Sequence, residues 1–153
     1  MTENLTDRTG APVSVVLRRS NPISAFTVSF GDAGPVGTAE FVDSAGSEPE
    51  RIFFHTEVDD AFGGRGLGGL LVREALRASR EDGIGVVPVC PLFARHLDTH
   101  GEAYRTEGGT YRRPRPADLE RVRAAVEGRK QSADPSSSSA VREAQESARY
   151  RAL

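Results

Sequence analysis

The residues that could do chemistry crowd around one loop. Phe62 to Leu71 reads FGGRGLGGLL, five glycines and one arginine. Glycine is a poor helix former, so a cluster of it ahead of the helix-like segment LVREALRASRE needs a reason. Close approach of backbone N–H groups to an anion, usually a phosphate, supplies one. Before the loop, the apolar run IFFHTEV carries His55 and Glu57. The next apolar run, IGVVPVC, ends in Cys90, the only cysteine. An imidazole, a carboxylate and a thiol are groups that move protons or attack carbonyls near neutral pH.

Three phosphate loops compete for the glycines. A P-loop needs a lysine and then Ser or Thr after its last glycine. Here Gly68 is followed by Gly69 and Leu70, so that pattern fails. The dinucleotide fingerprint G-x-G-x-x-G is literally present at Gly64, Gly66 and Gly69. It belongs after the first strand of a repeated strand–helix–strand layout, with an acid at the end of the next strand. Here that next strand ends in Val89-Cys90, so the context is wrong. The third pattern is a diphosphate cradle of the R-G-x-G kind, Arg65-Gly66-Leu67-Gly68.

The elements that would hold this loop can be read from periodicity and punctuation. Val13–Arg19, Ala25–Phe30, Val36–Asp43 and Arg51–Val58 are short, β-branched or alternating runs separated by turn signals. They predict four strands in meander order. A helix is expected from about Gly66 to Asp82, with Leu67, Leu70, Leu71, Ala75 and Ala78 on one face. Asp82-Gly83 stops it. Ile84–Cys90 is apolar enough for a buried strand. Pro91 cannot continue a ladder and opens a short helix, Leu92–Thr99, ending near Gly101. Ala117–Glu127 is a candidate peripheral helix.

Bulk properties narrow the classes. The chain has 153 residues and a formal net charge of −2. That is one domain's worth of core and no footprint for general nucleic-acid binding. One cysteine excludes an internal disulfide framework and favours a reducing compartment. The polar N-terminus has no signal-peptide core, and no apolar run nears the ~18 residues of a membrane span. A cytoplasmic protein, monomer or homodimer, without membrane or nucleic-acid partners, is expected. Residues 1–11 are expected to be a flexible N-terminus, 12–127 the domain, and 128–153 a flexible, serine-rich low-complexity tail.

The order and spacing of HTEV at His55–Val58, FGGRGLG, LVREAL, VVPVCP at Val86–Pro91 and HGEAY at His100–Tyr104 resemble the GNAT superfamily of N-acetyltransferases. Within it they are similar to the small, minimal proteins called YjdJ-type, over roughly residues 13–105. That resemblance implies an α/β (α+β) fold: a GNAT-like mixed central sheet with an antiparallel N-terminal meander, a strand–helix–strand coenzyme A-binding unit and flanking helices. It implies acetyl-coenzyme A as co-substrate, with no metal, and transfer of its acetyl group to an amine on a small molecule or a protein lysine. The superfamily's motif is Gln/Arg-x-x-Gly-x-Gly/Ala; this chain has Gly63 where Gln or Arg is usual, with Arg65 near enough to supply positive charge.

The resemblance places coenzyme A's diphosphate on Gly63, Gly64, Arg65, Gly66, Leu67, Gly68 and Gly69. Its pantetheine arm would lie between the splayed fourth and fifth strands and pair with the edge near Glu57-Val58. If those strands are neighbours, His55 and Cys90 both face the thioester. Cys90 is then acylated with His55 as its base, or His55 deprotonates an amine that attacks directly; Glu57, on the His55 face by alternation, is a second base or orients it. Each residue also has a plain reading, a satisfied sheet histidine, a buried small hydrophobe and a solvated strand carboxylate. The tyrosine that many members use to protonate the departing thiolate has no counterpart, because its place holds Leu97 and Tyr104 is expected beyond the helix. The alternatives to an acetyltransferase are a non-catalytic acyl-coenzyme A binding or sensing module and a nicotinamide-dinucleotide protein. His96 and His100 have chelating spacing but read as surface histidines. The basic run Tyr111–Pro116 reads as a solvated loop, with contact to the 3′-phosphate of coenzyme A or to an acidic partner as the alternative.

Overall fold

A computed structural model of the chain describes residues 5–44 and 46–132. The elements are β1 (Leu5–Thr6), β2 (Pro12–Arg18), β3 (Ser24–Ser29), β4 (Gly37–Asp43), β5 (Glu50–Val58), α1 (Leu67–Glu81), β6 (Gly85–Pro88), α2 (Pro91–Thr106) and α3 (Pro116–Ser132). The six strands form one sheet in chain order. The four pairs from β1 to β5 are antiparallel, and β5–β6 is parallel across the α1 crossover. The expected mixed sheet, meander first and strand–helix–strand last, is the observed one.

Helices cover the two faces unequally. On one face α1 and α2 bury Phe26, Phe41, Phe53 and Phe93 together with Leu67, Leu71 and Leu76. The Phe53 and Phe93 rings stack at 4.3 Å. On the other face α3 packs Ala125 and Val122 over Ile23, Val42, Ile52 and Val87. Each such fully buried large side chain is worth about 1.5–3 kcal/mol, so both faces are firmly roofed near Phe53 and Ile52.

Three boundaries differ from expectation. Residues 5–11 are not a loose lead: Leu5 pairs with Val13 and Thr6 with Pro12. Asp7 closes that hairpin by accepting from Thr9 N–H (2.8 Å), Thr9 Oγ1 (2.7 Å) and Ala11 N–H (2.9 Å). Helix α2 does not end near Gly101 but runs on to Thr106. Glycine is required at 101 because the Tyr111 hydroxyl packs against that spot on the helix, where any Cβ would collide. The third helix passes Glu127 to Ser132, so the first residues of the expected tail are helical. The rest of that tail, 133–153, lies outside the described residues. Among the described residues no helix is long and apolar enough to cross a membrane.

Candidate active site

Strand β6 keeps pace with β5 only from Glu50 to Phe53. It then peels away, and the N–H groups of Val89 (2.9 Å) and Cys90 (2.8 Å) both close on the Phe53 carbonyl. From Phe54 to Val58, that edge of β5 has no strand beside it among the described residues. The edge leads straight into the glycine loop. A short 3-10 turn, Asp60–Phe62, is capped by the Asp59 carboxylate, and then Gly64 (φ +78°) and Gly66 (φ +76°) take left-handed backbone that only glycine adopts freely. Gly66 is the N-cap of α1. It offers no side chain to the first-turn N–H groups, and no acid lies in that turn. Those donors and the helix dipole leave this end of α1 electropositive and open to an anion.

Arg65 is otherwise engaged. Its Nη1 lies 3.3 Å from Asp7 Oδ2, and its guanidinium sits 5.5 and 5.4 Å from the Phe30 and Phe62 ring centres. It is a latch between the N-terminal hairpin and the loop. Asp7 is held below the usual carboxylate range, first by the Thr9 hydroxyl, then by backbone N–H groups and Arg65.

The structure brings His55 and Glu57 together and sets Cys90 apart from them. A bulge in β5 is the cause: Phe41 pairs with Phe53 and Glu40 with His55, leaving Phe54 as the extra residue. His55 therefore lies on the α3 face beside Glu40, whose carboxylate takes Arg129 of α3 at 2.7 Å. Its Nε2 stands 3.7 Å from Glu57 Oε2 and, among the described residues, has no hydrogen-bond partner. Thr56, opposite Ala39, lies on the α1 face. There its Oγ1 meets Cys90 Sγ at 3.4 Å. Cys90 is only 4% exposed and forms the N-cap of α2, with Pro91 as the first helical residue. The open edge of β5 runs between these two clusters, imidazole and carboxylate on one side, hydroxyl and thiol on the other.

Tyr104 is inside α2, not beyond it. Its hydroxyl donates to the Leu76 carbonyl at 2.8 Å in the core, and burial pushes its pKa up to about 12. That removes it as a proton donor for the open edge. Arg112 of the basic run is spent on structure, bonded through Nε and Nη2 to Glu50 (2.8 and 2.9 Å) and through Nη1 and Nη2 to Asp118 (2.8 and 2.9 Å). The His96 and His100 rings lie 4.7 Å apart on α2, their planes tilted by 43°. Among the described residues no three His, Cys, Asp or Glu side chains cluster in a way that could hold a metal.

Sequence reasoning missed two participants in this region. Arg8 reaches the glycine loop from the N-terminal hairpin, and Thr56 is the hydroxyl beside Cys90. Only the Asp-x-Thr turn at Asp7–Thr9 gives a local hint of the first.

A family model described as GCN5-related N-acetyl-transferase matches residues 25–106. That span holds β3 to α2, and so the open edge, the loop and Cys90. Among solved structures, an aminoglycoside acetyltransferase from an uncultured soil metagenomic sample, in complex with sisomicin, matches at 16% identity and TM-score 0.41. The match covers 57% of this chain and 58% of that one, little more than half its length. The solution structure of a GCN5-like protein from Staphylococcus aureus matches at 21% identity and TM-score 0.40, over 66% of this chain and 91% of that one. No curated protein matches the chain.

Proposed function

The chain belongs to the GCN5-related N-acetyl-transferase family, and from that premise we propose that it moves the acetyl group of acetyl-coenzyme A to an amine. One observation carries the reading. The freed edge of β5, from Phe54 to Val58, runs directly into the uncapped glycine start of α1. An extended amide-bearing arm suits the first, and a diphosphate suits the second. Gly63, Gly64, Gly66, Leu67, Gly68 and Gly69 would cradle the diphosphate, while Arg65 holds the loop's shape. The edge near Val58 would pair with the pantetheine amides.

The thioester would then lie near the bulge, between His55 and Thr56. His55 would take a proton from the amine as its nitrogen attacks the acetyl carbonyl, with Glu57 steadying the imidazolium across their 3.7 Å separation. The carbon–sulfur bond breaks and the electron pair leaves on sulfur. On the opposite face the Cys90 thiol, bonded to Thr56, is the group available to protonate that thiolate. Direct attack is favoured over an acyl-cysteine because His55 and Cys90 leave β5 and α2 on different faces of the sheet. Backbone N–H groups of the open edge would meet the carbonyl oxygen as it gains charge.

A melt of the full chain with acetyl-coenzyme A, coenzyme A and NAD side by side tests the binding half. A ligand at ~100 times its dissociation constant adds about 2.7 kcal/mol, a shift of several degrees. Stabilisation by both coenzyme A species and not by NAD is expected; stabilisation by NAD alone would overturn the reading. Coenzyme A release against a panel of amines, including lysine peptides, tests transfer. Strong binding without turnover on any acceptor would leave an acyl-coenzyme A sensing module instead.

A further inference from the structure

The N-terminal hairpin is docked on the glycine loop. Arg8 N–H donates to the Arg65 carbonyl at 2.8 Å, and Asp7 binds the Arg65 side chain. These two contacts fix the hairpin's turn beside the first turn of α1. The Arg8 guanidinium lies there: a Cβ built on Gly66 would stand 3.5 Å from its Nε and 3.6 Å from its Nη2. The nearest carboxylate in sequence, Asp7, is already filled by Thr9, Ala11 and Arg65. Among the described residues Arg8 makes no ion pair, and its side chain is exposed.

A diphosphate carries about two negative charges, whereas an uncapped helix end offers only about half a positive one. A cation is needed to complete the match, and the loop itself provides none. Gly63 has no side chain, Arg65 is committed to Asp7, the chain's only lysine is Lys130, and the Arg73 guanidinium of α1 lies against Gly69, a turn beyond the N-cap that Arg8 covers. We propose that Arg8 is that cation: its guanidinium, held over the Gly66 N-cap by the hairpin, binds non-bridging oxygens of coenzyme A's diphosphate. The inference rests on the acetyl-coenzyme A reading above. It turns the first strand pair from a structural trim into part of the ligand site. The fork of a guanidinium takes two phosphate oxygens at once, which an ammonium cannot.

The test is titration calorimetry on the full chain with coenzyme A and with dephospho-coenzyme A, which keeps the diphosphate and lacks the 3′-phosphate. Arg8→Gln should weaken both ligands equally, by about ten- to a hundredfold. Arg8→Lys should recover part of that loss. Raising the salt should narrow the gap between wild type and Arg8→Gln. Equal affinities for wild type and Arg8→Gln would overturn the proposal. So would a loss confined to coenzyme A, which would put Arg8 on the 3′-phosphate. If Arg8→Gln also melts lower without ligand, Arg8→Lys decides: a variant that melts like wild type yet binds no better than Arg8→Gln argues against a phosphate-binding charge. A wild-type chain that binds neither ligand brings down the acetyl-coenzyme A reading itself, and Arg8's role with it.

Discussion

Phe54, the extra residue of the β5 bulge, decides which neighbours His55 has. With unbroken alternation His55 would leave the strand on the side of Phe53, where Cys90 sits. One added residue turns it to the α3 face, and Glu57 with it. A base and a thiol on opposite sides of a strand can serve the two ends of one displacement but cannot pass a proton directly. His55→Gln should therefore lower kcat/KM by about 10²–10⁴, read in coenzyme A release at saturating acceptor. Cys90→Ala should cost less than that, because a thiolate leaves readily and water can protonate it, and no acetyl adduct should appear on Cys90 by mass spectrometry. Accumulation of such an adduct would reverse this assignment. At this scale the glycines were readable, because each advertises its backbone need locally. The commitments of Arg65 were not, since its partner Asp7 lies 58 positions away. Nor was the face of His55, because a bulge leaves no mark in an apolar run.

Among the elements, α1 carries the most demands. Its N-cap needs left-handed backbone, so Gly66→Ala should cost about 1–2 kcal/mol of stability. The same change should weaken coenzyme A binding, since the left-handed N-cap that presents the first-turn N–H groups is the conformation the methyl disfavours. A parallel melt and titration separate the two effects; unchanged stability would show that the φ of Gly66 is not enforced. Farther along, Ser79 on the same helix accepts from Arg51 Nη1 at 3.0 Å. Arg51 is 2% exposed, lies over the Phe26 and Phe41 rings, and reaches Asp82 at 3.3 Å. Ser79→Ala should destabilise by about 1–3 kcal/mol in urea denaturation, because it strips a partner from a buried charge. The helix itself was legible from its leucine spacing and its Asp-Gly stop. The length of α2 was not, because Gly101 looks like a terminator until Tyr111 is seen to pack on it.

For the molecule as a whole, two carboxylates tie distant parts of the chain together. Asp7 joins the N-terminal hairpin to the loop, and Asp118 joins α3 to β5 through Arg112. Both are held below the usual carboxylate range, Asp118 mainly by Arg112. Their stabilising effect is complete above the unfolded value near ~3.9 and disappears as pH falls through the lower folded values. The melting temperature should hold from neutral pH to about pH 5 and drop below about pH 4. Asp7→Asn should lower the neutral-pH melting point and flatten the acid limb; an acid limb identical to wild type would exclude Asp7 from it. The meander and the crossover could be read from the sequence because turns and periodicity are local. These long ties could not.

The strands stand in the sheet in the order in which they occur in the chain. Each antiparallel strand adds to an edge its predecessor has just formed, so most pairing contacts are close in sequence. Only β5–β6 must wait for a helix to be threaded between its partners. Loop-closure entropy makes that pairing the last to form, after the meander has passed the main barrier. It is also the pairing whose early end opens the ligand edge. In a chevron analysis, saturating coenzyme A should therefore slow unfolding and leave the refolding arm nearly unmoved, because the feature it grips is assembled after the rate-limiting barrier.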